Sequence, residues 1–205
     1  MAVGAVLTQA VAWRNVETAL ARLKAAGLLE AEALVAADRA VLEAALRPTR
    51  YYASKAERLL GLARLVLSYG HPGRVGLQAL FALPTPPLRE ALLSVPGIGA
   101  ETADDILLYG AERPVFVIDR YTHRVLWRVG WWADPRYHYR KLQQAVEEAM
   151  AGSVEEYQEF HALLVRLGKE VCRPNPLCRQ CPLQAGCLAA RGQRALQAPG
   201  PALQG

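Results

Sequence analysis

Apolar residues recur at intervals of three and four along most of the chain, which is the spacing of an amphipathic α-helix. The clearest stripes are Val16, Ala19, Leu20 and Leu23, and then Leu59, Leu62, Ala63 and Val66. With glycine and proline as stop signals, the spacing predicts helices over residues 1–13, 16–26, 31–46, 53–69, 88–94, 102–109, 121–129, 139–150 and 154–168. The short β-branched run Val115–Ile118 predicts an extended segment, too short for a sheet. The pattern therefore predicts an all-α fold.

Composition and charge narrow the class of protein. The chain has 205 residues, of which 52% are hydrophobic and 21% charged, so a folded core is expected and wholesale disorder is excluded. The net charge is +5, and 20 of the 24 basic residues are arginine. Arginine suits phosphate and base edges, although a GC-rich genome also favours it. The sequence has no membrane-length apolar run and no basic leader, so we expect a cytoplasmic protein.

A glycine-containing turn joins two short predicted helices near the middle of the chain. Its residues are Pro96, Gly97, Ile98 and Gly99. Two glycines can expose successive backbone N–H groups, and the N-terminus of the next helix adds further donors, which together favour a phosphate. An ordinary corner between two helices, with glycine for close packing, is the alternative.

A single acid follows the apolar run 115–118. Asp119 is either the N-cap of the next helix or a functional carboxylate, and one residue can serve both purposes. Taken alone, the pattern favours the cap.

All four cysteines lie within 16 residues near the C-terminus, at Cys172, Cys178, Cys181 and Cys187. A reducing cytosol disfavours structural disulfides, so the cluster predicts metal ligands. Four thiolates suit a [4Fe–4S] cluster or a structural zinc ion, and zinc sites more often use two C-x2-C pairs where this chain has one.

The order of turn, aspartate and four cysteines resembles the endonuclease III family of helix-hairpin-helix DNA glycosylases. The resemblance extends from about Gly4 to Cys187. The composition of residues 189–205, rich in alanine, glycine, glutamine and proline, predicts a disordered tail. The resemblance implies a two-lobed fold with a DNA cleft, in which residues 1–113 form a helical barrel lobe whose hairpin spans about 92–109 and residues 114–188 form an iron–sulfur cluster lobe. It favours [4Fe–4S] over zinc, although the first loop between cysteines is one residue shorter than is common in the family. A further family helix before Gly4 is either encoded upstream or absent.

The resemblance also implies roles for individual residues. Asp119 would stabilise the oxocarbenium-like sugar and orient the attacking water. The hairpin would hold a phosphate beside the flipped nucleotide, and Gln9 would enter the gap that the flipped base leaves. The alternative is that the Gln9 amide is a hydrogen-bonded group at the end of a helix. Separately from the resemblance, Arg173 and Arg179 in the loops between the cysteines could present positive charge to DNA phosphates.

One departure from the family decides the predicted reaction. Members that also cut the strand carry a lysine in the hairpin helix, which attacks the sugar as an amine. Glu101 occupies that position here, and a carboxylate cannot form the imine. We therefore predict a monofunctional glycosylase without AP-lyase activity. The alternative role for Glu101 is a first-turn acid favoured by the helix dipole.

Two segments are similar to a bacterial branch of 3-methyladenine glycosylases related to endonuclease III. They are the Thr-Gln-x-x-x-Trp-x-x-Val motif that contains Trp13, and residues 47–56. The similarity implies that Trp13 and Tyr52, and less clearly Tyr51, stack on an alkylated purine, whose positive charge gains cation–π attraction. Core aromatics are the alternative for these side chains.

We expect the partner to be double-stranded DNA with a damaged base, bound by a monomer associated with the nucleoid. Two other functions stay open: a glycosylase for oxidised pyrimidines, and a DNA-damage-binding protein with little catalytic activity. The polar groups that an oxidised pyrimidine requires are not evident in the sequence, and the intact Asp119 argues against a pure binding protein.

Overall fold

The computed structural model describes residues 1–9, 11–70 and 75–196, and within these ranges the regular structure is entirely helical. The prediction of an all-α fold is confirmed. The helices are α1 Ala2–Leu7, α2 Trp13–Ala25, α3 Ala31–Ala36, α4 Arg39–Leu46, α5 Tyr52–Ser68, α6 Gly76–Phe81, α7 Thr85–Leu93, α8 Ala100–Tyr109, α9 Arg120–Val129, α10 Tyr139–Met150 and α11 Val154–Glu170. Two 3₁₀ turns, Cys178–Gln180 and Gln184–Gly186, follow α11.

The chain divides into two compact units, Met1–Arg113 and Pro114–Gly205. In the first unit, helix α5 is central and packs against α3, α4, α6 and α1, while α7 packs against α8 to form the two arms of a hairpin. Helix α1 also packs against α8. The hairpin is therefore held by other helices of its own unit, α1 against α8 and α5 against α7.

In the second unit, α9 packs against α11. The segment 116–118 that leads into α9 is completely buried and belongs to no helix. The Phe116 ring meets the Tyr157 ring edge-on, with centroids 5.5 Å apart. This buried segment anchors the start of α9, which carries Asp119.

Two of the predicted helices are wrong in extent. Residues 31–46 form two helices because Asp38 starts a new one: its carboxylate accepts the N–H groups of Ala40 and Val41. The predicted helix over residues 1–13 ends at Leu7, and a new helix begins at Trp13. Gln9 therefore lies beyond the end of α1 and outside a helix. Helix α6 was not predicted.

Part of the segment predicted as a disordered tail, residues 189–196, packs against α9. The Ala189 N–H donates to the carbonyl of Arg128. The Arg194 guanidinium donates to the carbonyls of Trp127 and Trp132 and lies 4.1 Å from the centroid of the Trp127 ring. The rest of the predicted tail, residues 197–205, lies outside the described residues. In the described part of the chain, no helix is both long and apolar enough to cross a membrane.

Candidate active site

The predicted turn lies between α7 and α8. Gly97 has φ +85°, a left-handed conformation that favours glycine, and Gly99 is the extended N-cap of α8. Between them, the Ile98 side chain is buried and its N–H donates to the carbonyl of Val95. Gly97 and Gly99 are exposed. The turn thus keeps its apolar side chain in the core and turns its glycine backbone towards solvent, where the N-terminus of α8 favours an anion.

A partly buried ion pair joins the two arms of this hairpin. Arg89 of α7 donates from Nε to Asp104 Oδ1 at 2.6 Å and from Nη2 to Oδ2 at 3.1 Å. Asp104 of α8 is completely buried. Bidentate geometry restricts the angle between the two helices, so the pair stabilises the turn. No local pattern in the sequence indicates this pair, because its partners are 15 residues apart on different helices.

Glu101 is exposed in the first turn of α8. Its position suits the helix dipole. Of the four lysines, Lys24, Lys141 and Lys169 are exposed on other helices. These three therefore lie outside α8, whose first turn carries Glu101.

Lys55, in contrast, is 1% exposed, and its Nζ donates to the carbonyl of Leu7 at 2.9 Å. Burial, with a contribution from Arg58, lowers the pKa of Lys55 to about 8. Its ammonium stabilises the C-terminus of α1, where the carbonyl groups lack helical partners.

Gln9 is half-buried and uses both ends of its amide. Nε2 donates to Thr102 Oγ1 at 2.7 Å, and Oε1 accepts a hydrogen bond from Arg58 Nη1. Thr102 belongs to the hairpin helix α8 and Arg58 to α5. The residue that the family resemblance places in the DNA gap is thus attached to the hairpin helix.

The aromatic residues assigned to the base pocket lie at helix starts and are not core residues. Trp13 is the first residue of α2 and is 52% exposed, with its Nε1 donating to Glu17. Tyr52 is the first residue of α5 and is 37% exposed. Tyr51, with φ +56°, is exposed as well. The alternative of core aromatics is therefore wrong for all three, and their rings are accessible for stacking.

Asp119 is both a helix cap and a buried carboxylate. It is 9% exposed, and its Oδ1 accepts the N–H of Thr122 at 2.7 Å at the start of α9. His161 of α11 is buried close by: burial lowers the pKa of His161, while the Asp119 carboxylate opposes the shift. The local geometry thus holds Asp119 in one orientation with limited solvent contact.

Three cations surround Tyr121, two residues after Asp119. Arg120, Arg124 and Lys169 lie 4.9, 5.2 and 5.7 Å from the ring centroid. Arg120 and Lys169 are exposed. This cluster was not predicted from the sequence; it makes the surface beside Asp119 positively charged and favourable for a polyanion.

The four cysteines are free thiols that line one cavity. Burial raises the pKa of the Cys181 thiol, and the negative charge of the other three cysteines adds to the effect. Within residues 1–9, 11–70 and 75–196, no group of three or more histidine, cysteine, aspartate or glutamate side chains has the arrangement that would hold a metal ion. The exposed Arg173 and Arg179 lie in the loops between these cysteines.

Two arginines of α9, one turn apart, hold the cysteine loop. Arg128 is 2% exposed, and its guanidinium donates to the carbonyls of Arg173 at 2.6 Å, Pro174 at 3.1 Å and Leu196 at 2.7 Å. Its Nη1 also lies 3.4 Å from Cys172 Sγ. Arg124 donates to the carbonyl of Cys172 at 2.8 Å. The i, i+4 spacing of the two arginines was the available sequence signal, and it was missed because exposed arginine is the usual expectation.

Known proteins similar to this chain are DNA repair proteins. A family model described as HhH-GPD superfamily base excision DNA repair protein matches residues 3–151. A Methanocaldococcus jannaschii protein named as a DNA repair glycosylase is 38% identical over 188 residues, 91% of this chain and 84% of that protein.

Two solved structures share the fold. The first is H. pylori 3-methyladenine DNA glycosylase bound to 1,N6-ethenoadenine, with a TM-score of 0.69, 27% identity and coverage of 82% of this chain and 83% of that chain. The second is a non-covalent endonuclease III–DNA complex, with a TM-score of 0.76, 21% identity and coverage of 94% and 83%.

The family match and the fold identify a DNA glycosylase of base excision repair, with DNA as its substrate. The chain belongs to the HhH-GPD superfamily of base excision DNA repair proteins. The predicted family resemblance is confirmed.

Proposed function

We propose that this DNA glycosylase is monofunctional and releases an alkylated purine, such as 3-methyladenine, by hydrolysis of the N-glycosidic bond. The observation that carries the proposal is the buried carboxylate of Asp119, held by the Thr122 N–H at 2.7 Å. Positive charge grows on the sugar as the bond breaks, and a carboxylate that is already oriented stabilises it without reorganisation. The same carboxylate orients the attacking water.

The absence of AP-lyase activity is proposed from Glu101. An imine with the sugar requires an amine at this position of α8, and a carboxylate cannot supply it. Lys55, whose lowered pKa would favour a free amine, is buried and bonded to the Leu7 carbonyl. The enzyme therefore leaves an abasic site in an intact strand.

The choice of an alkylated purine rests on the exposed aromatic rings of Trp13 and Tyr52. Aromatic stacking favours a cationic, alkylated ring, and its glycosidic bond is already weakened, so modest catalysis by Asp119 suffices. The likeness to a 3-methyladenine glycosylase at 27% identity supports the same substrate class.

We assign DNA recognition mainly to the backbone of the turn and to positively charged side chains. We propose that Pro96, Gly97, Ile98 and Gly99 form the turn that holds a phosphate, that Gln9 fills the gap left by the flipped base, and that Arg173 and Arg179 contact the backbone. The exposure of both glycines and both arginines supports these roles. A monomer is sufficient for this arrangement, because one chain carries every assigned residue.

We also propose that Cys172, Cys178, Cys181 and Cys187 hold a [4Fe–4S] cluster. Their thiols line one cavity, and the buried Arg128 guanidinium beside Cys172 Sγ offsets thiolate charge, which suits a cluster carried by four thiolates. When bound, the cluster supplies a structural cross-link and no bond-breaking chemistry. Absorbance at about 400 nm with stoichiometric iron would support it, whereas stoichiometric zinc without iron would establish the zinc alternative.

One panel of duplexes tests the reaction and the substrate class. Wild type and Asp119→Asn are incubated with methylated DNA, 1,N6-ethenoadenine DNA, thymine-glycol DNA and undamaged DNA, and released bases are measured. We expect release from the alkylated duplexes by wild type only. Release of thymine glycol alone would overturn the alkylated-purine assignment, and no release from any lesion would favour a damage-binding protein.

A further inference from the structure

Arg58 of α5 contacts both Gln9 and the hairpin turn. Neither the family motif nor the spacing of residues along the chain identifies it. Its Nη1 donates to Gln9 Oε1, and the other end of the Gln9 amide donates to Thr102 Oγ1 at 2.7 Å. The side chain of Gln9 is therefore held between two helices by two hydrogen bonds, one of them charge-assisted.

The stem of Arg58 also lies against the hairpin turn. A Cβ atom added at Gly97 would be 2.5 Å from Arg58 Nε, 2.9 Å from Cγ and 3.1 Å from Cδ. Two features therefore favour glycine at position 97: its φ of +85° and the Arg58 stem that lies directly against it. The guanidinium that holds Gln9 is consequently next to the proposed phosphate site.

The preceding turn of α5 holds the end of α1. Lys55, three residues before Arg58, donates to the Leu7 carbonyl two residues before Gln9. The backbone just before Gln9 and the Gln9 side chain are therefore both attached to one face of α5. This arrangement restricts where Gln9 can lie relative to the hairpin.

We infer that Arg58 is a positioning residue that keeps Gln9 beside the hairpin, so that phosphate binding at Gly97 and insertion of Gln9 into the DNA gap occur together. This inference rests on the proposed function, in which Gln9 is the inserted residue. A side chain held close to its final place loses less conformational freedom on insertion. Arg58 therefore acts through Gln9 and does not contact the reacting sugar.

The test is a double-mutant cycle with Arg58→Met and Gln9→Ala. Methionine retains the apolar stem that crosses Gly97 and removes the guanidinium. Arg64→Met is the matched control, because Arg64 is an exposed arginine on the same helix. Base extrusion is measured by the fluorescence of 2-aminopurine next to an ethenoadenine lesion, and base release is measured in single turnover.

We expect Arg58→Met to lower extrusion and release about tenfold, the size of one charge-assisted hydrogen bond, while affinity for undamaged DNA changes no more than in Arg64→Met. In the Gln9→Ala background the same change should have no effect beyond that of Arg64→Met. Thr102→Val, which removes the other hydrogen bond of Gln9 without changing side-chain volume, should behave as Arg58→Met does. Thermal unfolding establishes that each variant is folded.

Equal effects of Arg58→Met in the wild-type and Gln9→Ala backgrounds would overturn the inference and make Arg58 a simple phosphate contact. A Gln9→Ala variant with normal extrusion would overturn it as well. Failure of the proposed function is distinguishable, because wild type would then release no base while the fluorescence cycle still reports the coupling between Arg58 and Gln9.

Discussion

The Asp119 carboxylate accepts the backbone N–H of Thr122 at 2.7 Å, and this one hydrogen bond joins the start of α9 to the proposed catalytic group. The same hydrogen bond stabilises the start of α9 and holds the negative charge of Asp119 in one orientation. A change at Asp119 therefore affects stability and chemistry together unless the replacement can still cap the helix. Asparagine can, because its side-chain oxygen is an equally good N-cap acceptor.

We predict that Asp119→Asn retains the free energy of unfolding within about 0.5 kcal/mol, since the cap persists, and loses at least about 100-fold in the rate of base release, since the charge is removed. Denaturant unfolding and single-turnover release measure the two effects. Asp38→Ala is the matched control: it removes the cap of α4, should cost about 1 kcal/mol, and should leave the rate unchanged. A nearly normal rate in Asp119→Asn would contradict the assignment of Asp119.

Glu101 offers a gain-of-function experiment. We predict that wild type forms no covalent adduct with abasic DNA under borohydride, and that Glu101→Lys forms one, because the amine then lies at the start of the hairpin helix. Glu90→Lys, which introduces the same charge at an exposed position on α7, should form none. A strong adduct with wild type would contradict the monofunctional assignment, and digestion of that adduct would identify the lysine involved.

Arg128 should determine the stability of the cysteine loop. Replacing it with methionine removes the buried guanidinium that donates to the carbonyls of Arg173, Pro174 and Leu196, and we expect the free energy of unfolding to fall by about 3 kcal/mol. Iron content and the absorbance band should fall in parallel. Arg166→Met, which breaks only an exposed pair with Glu170, is the control and should change neither. Full retention of iron in Arg128→Met would show that the loop does not depend on this side chain.

Because the pKa of Lys55 is lowered, we predict that the free energy of unfolding depends on pH. Its pKa of about 8 in the folded protein is below the ordinary 10.5, so between these values the unfolded chain binds more protons, and stability increases with pH. Relative to Lys55→Met, the free energy of unfolding of wild type should rise by about 2.5 kcal/mol from pH 8 to pH 10.5. Denaturant titrations of both proteins at several pH values measure this difference. Parallel pH profiles would contradict the lowered pKa.

Local patterns in the sequence were sufficient for several elements of this protein. Helices α10 and α11 begin where their spacing predicts, and the turn at Gly97 lies between two helices as expected. The start of a new helix after Asp38 could also have been predicted from the sequence, because an aspartate before an apolar stripe is an N-cap signal. The order of turn, aspartate and cysteines was enough to predict the family, since each motif is short and contiguous.

The sequence by itself thus determined the helical class, the hairpin and the candidate catalytic and cysteine residues, because these depend on neighbours a few positions apart. Only the tertiary structure decided that Gln9 bonds to Thr102, 93 residues away, that Asp104 pairs with Arg89, and that Arg128 is buried under the cysteine loop. A charged or amide side chain is compatible with both solvent and a buried partner. Which of the two applies depends on the helices that pack around it, and spacing along the chain does not contain that information.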